Sequence, residues 1–178
     1  MRSTVKSDFG PLAVLTADLE KNKQARVKVG IFGGKATRKK GPLNNPTLGL
    51  VHEFGSAKRN IPARSFLRVP LASELPKKML SIGRAVWSGI IRQEGMAKAL
   101  SELGLQGRLV VVGAFDTGGY GRWQQWSKSY TRRRELGSRR ANRGRLLNFT
   151  GPIKPGSLLI LSGQLRRSIS FEVVGVNK

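Results

Sequence analysis

Leu71-Ala-Ser-Glu-Leu75-Pro-Lys-Lys-Met79-Leu-Ser-Ile82-Gly-Arg-Ala-Val86-Trp-Ser-Gly-Ile90 is the stretch on which the fold turns. Its apolar positions recur every third or fourth residue, the period of a helix with one buried face. Pro70 and Pro76 lie near its start, so the regular helix is expected to begin at Pro76 or to kink there, and to run to Gln93. Gly95 interrupts the pattern, and Met96, Leu100 and Leu103 resume it in a second helix.

Working outward, residues 25–32 alternate as Arg26, Val27, Lys28 and Val29, then reach Ile31, Phe32 and the turn pair Gly33-Gly34. That is the pattern of a half-buried strand. Residues 169–176 alternate similarly and predict a closing strand. Residues 11–20 predict a short helix with Pro11 in the first turn and Leu12, Leu15 and Leu19 on one face. Residues 47–54 predict another, ended by Gly55, with Leu50, Val51 and Phe54 turned inward. The whole, residues 1–178, reads as one α+β domain: a small, mainly antiparallel sheet containing 25–32 and 169–176, packed on the 76–93 helix.

Two stretches between these elements are strongly basic. Residues 34–46 read as a loop carrying Lys35, Arg38, Lys39 and Lys40. Residues 118–157 read as an arginine-rich extended arm, in which Arg132, Arg133, Arg134, Arg139, Arg140, Arg143 and Arg145 meet only Glu135. These eleven cations are the candidate contacts to DNA or to partner proteins. Trp123, Trp126 and Tyr130 precede the run, and such rings either stack on bases or anchor an arm to its core.

The excess of cations is general. Lys and Arg number 33 against 10 Asp and Glu, a net charge of +23 that exceeds any requirement of solubility. A polyanion or acidic neighbouring subunits are therefore expected as partners. Phosphate contacts suffice for such an excess, since no base-reading module is visible.

Chemistry finds little to work with. The absence of cysteine excludes disulfides, thiolate metal sites and thiol nucleophiles. One histidine and scattered carboxylates do not make a metal site. His52 beside Glu53 is the single pair with the makings of a general base, but no residue to position a nucleophile against it can be identified, and a packing or hydrogen-bonding role at a helix end is the favoured reading. Residues 113–121, with Asp116, lack the Gly-Lys-Ser/Thr ending of a phosphate-binding loop and read as a flexible turn. No catalytic, cofactor-binding or metal-binding residue is assigned, and no cofactor is expected. No stretch approaches the ~18 apolar residues of a membrane span, so a non-secreted protein without membrane contact is expected.

Three segments resemble a known family. Val51-His52-Glu53-Phe54-Gly55 is followed by Ile61-Pro62-Ala63-Arg64-Ser65-Phe66-Leu67-Arg68, and later by Leu161-Ser162-Gly163-Gln164-Leu165-Arg166-Arg167-Ser168-Ile169. Their order and spacing around a long helix are similar to the virion morphogenesis, or tail-completion, proteins of Mu-like and other long-tailed bacteriophages. There the segments read His-Glu-Phe-Gly, Ile-Pro-Ala-Arg-Pro-Phe and Thr-Gly-Xaa-Leu-Xaa-Xaa-Ser-Ile. Trp126-Ser127-Lys128-Ser129-Tyr130-Thr131 matches a further segment loosely, and the resemblance covers about residues 25–176. Ser65 replaces the usual proline, Ser162 the usual threonine, and the arginine-rich insertion is longer.

The resemblance implies a non-enzymatic α+β neck subunit at the head-tail junction. It would form a ring, commonly a hexamer, between the head connector or portal side and the tail tube or tail terminator. Viral double-stranded DNA would pass through the lumen without sequence-specific recognition. The location implied is the virion, with assembly in the host cytoplasm. A basic nucleic-acid-binding module of ribosomal or nucleoid type is the alternative, and an enzyme processing DNA or the cell wall a more distant one.

Overall fold

The computed structural model describes residues 10–37, 43–91, 95–132, 158–159 and 163–176. In chain order these form α1 (Gly10–Lys21), β1 (Arg26–Gly30), α2 (Asn45–Phe54), α3 (Arg68–Ser73), α4 (Leu75–Ile91), α5 (Gly95–Thr117), α6 (Gln164–Ser168) and β2 (Ser170–Val174). Short 3₁₀ turns occupy Gly33–Ala36 and Ala57–Arg59. The fold is α+β, and β1 and β2 pair antiparallel with Arg26 opposite Val174 and Gly30 opposite Ser170.

A two-stranded sheet is marginal by itself and needs a helix to cover one face. That helix is α5, whereas the pattern in the sequence pointed to 76–93. The reason is closeness of approach. A Cβ on Gly104 would overlap the edge of the Phe171 ring, and one on Gly107 would stand 3.0 Å from Val29 Cγ2. Two glycines thus give α5 a shallow face on which Val29 and Phe171 settle. Arg108 Nε then donates to the Ile169 carbonyl at 3.1 Å, fixing the lead into β2.

The core gathers on the same helix. Val111, Ala114 and Phe115 of α5 pack with Phe66, Trp123, Leu158, Leu165 and Ile169, all buried. Phe115 lies 5.1 Å from Phe66 and meets Trp123 edge-on at 6.0 Å, the tilted geometry that aromatic quadrupoles favour.

The chain does break before α4, at Glu74, and Pro76 stands in that helix's first turn where its missing N–H is harmless. Residues 113–121 are not a flexible turn. Residues 113–117 complete α5, and Gly118, Gly119, Tyr120 and Gly121 then follow with positive φ in a tight reversal. Trp123 lies against Gly119, and the Tyr120 hydroxyl donates to the Val110 carbonyl at 2.8 Å. The apolar face of α2 expected to turn inward does not: Leu50 and Phe54 are 60% and 56% exposed. On α1, Leu19 is 45% exposed.

Helix α2 instead buries Asn45, Gly49 and Glu53. Gly49 admits Phe66, Ile31 and Leu165 to within 4 Å of its missing Cβ, and Glu53 has partners inside. Gly163, with φ 67°, leads into α6, and Ser162 before it lies outside the described residues.

Candidate interaction site

Glu53 organises the region where the resembling segments meet. Its carboxylate accepts five hydrogen bonds: from Ser65 Oγ (2.6 Å), the amides of Phe66, Leu67 and Arg68 (2.9, 3.0 and 3.0 Å), and Arg68 Nε (3.3 Å). These amides open α3, whose first donors have no partner within the helix, so Glu53 caps it from a distance of more than ten residues in sequence. Burial pushes the Glu53 carboxyl up, and the bonds from Ser65 and the Leu67, Arg68 and Phe66 amides outweigh it, leaving the pKa below the ordinary carboxylate value.

The intervening turn is closed by the backbone. Ser56 and Ile61 exchange N–H to carbonyl bonds of 2.8 and 2.9 Å, and the Arg64 amide donates to the His52 carbonyl at 2.7 Å. Gly55 is required here: it sits at φ 75°, and a Cβ would stand 2.7 Å from the Ala63 nitrogen and 2.8 Å from the Ile61 oxygen. Leu165 and Ile169 of the third segment enter the same core as Phe66. The described parts of all three segments are therefore in mutual contact.

Beside this turn lies a cleft of about 750 Å³, lined among others by His52, Arg59, Arg64, Trp126, Tyr130 and Leu158. No carboxylate is among the described residues that line it. Arg64 is buried, and its Nε and Nη2 donate to the Gln124 carbonyl at 3.3 and 3.0 Å. Trp126 meets Tyr130 edge-on at 5.4 Å. Guanidinium groups beside two aromatic faces suit an anionic group attached to a flat or apolar body, whether phosphate or carboxylate. Trp123 plays a different part: it is buried, and its Nε1 donates to the Ser65 carbonyl at 2.9 Å, anchoring the chain that follows α5 to the loop held by Glu53.

Of the eleven cations singled out in the sequence, two are described. Lys35 is exposed beside β2, with Nζ 3.3 Å from Ser170 Oγ, and Arg132 is exposed at the end of a helical turn over 128–132 that carries Tyr130. Arg38, Lys39, Lys40, Arg133, Arg134, Arg139, Arg140, Arg143 and Arg145 lie outside the described residues. Within the expected 34–46 loop, Lys35 belongs to a 3₁₀ turn and Asn45 is already in α2, donating to the Lys35 carbonyl at 2.7 Å. Arg59 and Arg64 were not singled out. The one signal for them was position: Arg64 lies in the second resembling segment, and Arg59 in the short turn between the first and the second.

Among the described residues, no cluster of His, Cys, Asp and Glu is placed to hold a metal ion, and no helix is long and apolar enough to cross a membrane. Asp116 is engaged by Arg166 at 2.7 Å. Compared with protein-family models, curated proteins and solved structures, the chain finds no match.

Proposed function

We propose that this chain is a non-catalytic structural subunit of a tailed bacteriophage, working at the head-tail junction as one copy of a hexameric ring through which double-stranded DNA passes. The observation that carries the reading is the Glu53 knot. The one histidine-glutamate pair with catalytic potential has its carboxylate consumed in holding Ser65 to Arg68, so the resembling segments serve architecture. The charge of +23 suits a part that lies near DNA and against acidic neighbours.

Depleting the protein during infection and imaging the products tests this. Filled heads and finished tails that fail to join are expected. Empty heads, normal particles, or substrate turnover by the purified chain would refute it.

The cleft with Arg59, Arg64, Trp126 and Tyr130 favours a second reading, a nucleic-acid-binding module. Titration of free DNA and RNA separates the two. A neck subunit is expected to bind at the non-specific level of roughly 10⁻⁴–10⁻⁶ M at physiological salt, while a dedicated module binds far more tightly and loses that affinity with Trp126→Ala.

A further inference from the structure

Helix α2 is turned inside out relative to an ordinary amphipathic helix: Asn45, Gly49 and Glu53 are buried while Leu50 and Phe54 face outward. Next to these two side chains runs a groove of about 250 Å³, walled by Ile31, Leu50, Phe54 and Leu67, with Gly30 and Gly49 on its floor. It has room for a leucine-sized side chain. The Arg68 guanidinium covers one end of it, 4.5 Å above the Phe54 ring.

The surroundings are basic. Arg26, Lys28 and Gly30 share the face of β1 turned away from α5, since Val29 on the opposite face packs there. Gly30 pairs with Ser170, whose hydroxyl is 3.3 Å from Lys35 Nζ. Lys35 and Lys28 therefore continue the positive rim that Arg68 begins. Of the acids close by, Glu53 is engaged by its five donors, and Glu172 stands directly opposite Lys28 in the sheet.

The complement of this groove is a bulky apolar side chain between carboxylates, and the chain presents one. On α1, Leu19 is exposed between Asp18, which accepts from Asn22 Nδ2 at 2.8 Å, and Glu20, whose exposed pairing with Lys23 at 3.9 Å is weak enough to be exchanged. Two other exposed apolar pairs lie beside cations and would bring like charge to the rim: Met79 and Leu80 follow Lys77 and Lys78, and Leu105 and Leu109 of α5 flank Arg108. At physiological salt, charges beyond about 8 Å are largely screened, so these local signs decide the contact more than the net charge of each copy.

We infer that α1 of one copy docks Leu19 into the α2 groove of the next, with Asp18 and Glu20 meeting Lys28, Lys35 and Arg68. The two surfaces lie on different elements, so the contact is head-to-tail and either closes into a ring or runs on as a filament. The inference rests on the homo-oligomeric part of the proposed function.

The chain has no cysteine, which makes the test direct. Leu19→Cys and Phe54→Cys variants are prepared separately, checked for folding by circular dichroism, mixed and mildly oxidised. A disulfide dimer is expected from the mixture and from neither variant alone, and a Leu80→Cys control mixed with Phe54→Cys should give none. Asp18→Lys with Glu20→Lys should lower the yield about fivefold, and Lys28→Glu with Lys35→Glu on the partner should restore it. No crosslink above the control assigns the groove to another occupant and overturns the inference. A dimer from Leu19→Cys alone means a symmetric contact and overturns it too. If crosslinking fails while depletion still leaves heads and tails unjoined, the neck reading survives without this interface.

Discussion

Helices α4 and α5 lie against each other and do opposite work. Along α4 leucine, methionine and isoleucine recur at helical spacing, yet Met79 is 48% and Leu80 71% exposed, and Ile82 is its one buried large side chain among those described. Along α5, Gly104, Gly107 and Gly113 break the apolar pattern, yet Val110, Val111, Ala114 and Phe115 are wholly buried. The difference teaches that where the described residues form two strands alone, the helix that can come closest becomes the centre. Gaps at Gly104 and Gly107 admit Phe171 and Val29, and the gap at Gly113 admits the Tyr120 hydroxyl, 2.8 Å from the missing Cβ.

The sharpest way to break this comparison is to hollow out α5. Phe115→Ala removes the ring that touches both Phe66 and Trp123, and is expected to destabilise the chain by about 4 kcal/mol. Equilibrium urea unfolding reads it, and a loss below ~1 kcal/mol would mean the centre lies elsewhere.

Next in size is the start of α3, which leads into α4 and depends on a distant carboxylate. Glu53→Gln puts an amide N–H₂ among amide donors, and a loss of about 3 kcal/mol is expected at neutral pH. The pH profile carries a second reading. Because the folded pKa is depressed, the contribution of Glu53 is fully present above the unfolded value of about 4.5 and fades as pH falls through the lower folded value. Wild type should therefore lose more stability than Glu53→Gln when unfolding curves at pH 6 and pH 3 are compared. Equal losses would show that the carboxylate is not held as its geometry indicates.

A gentler perturbation of α5 is Gly104→Ala. The added methyl displaces the Phe171 ring, while the helix gains about 1 kcal/mol in propensity. A net loss of about 1–2 kcal/mol is expected, and a stabilised variant would show that the sheet has slack at this point.

How far this was legible follows from the same contrast. The strands could be read because Arg26 to Val29 faces α5 on one side only, and such a sheet writes a two-residue alternation. The break near Pro76 could be read because proline acts locally. The central role of α5 could not, since a glycine that admits Phe171 looks the same in sequence as a glycine that ends a helix. The orientation of α2 was hidden for a related reason: the donors that make Glu53 an interior residue lie at 65–68, beyond a turn whose closure by Ser56 and Ile61 no local pattern announces. Of the cleft, Trp126 and Tyr130 were visible as rings near a cationic run, whereas Arg59 and Arg64 became neighbours of those rings only once that turn had folded back.

The smallest expected effect closes the comparison from the side of α4. Leu80→Ser replaces the most exposed of the large hydrophobic residues described, on a helix that packs chiefly against α5. Serine lowers helix propensity by a few tenths of a kcal/mol, and little apolar contact is lost, so the change should stay within about 0.5 kcal/mol. Thermal unfolding at low protein concentration measures it against Phe115→Ala under the same conditions. A ratio near one would mean that Leu80 is covered in the folded chain and that the two helices share the core equally. A large ratio leaves α5 as the centre and α4 as a helix whose outer leucine and methionine contribute almost nothing to the stability of the single copy.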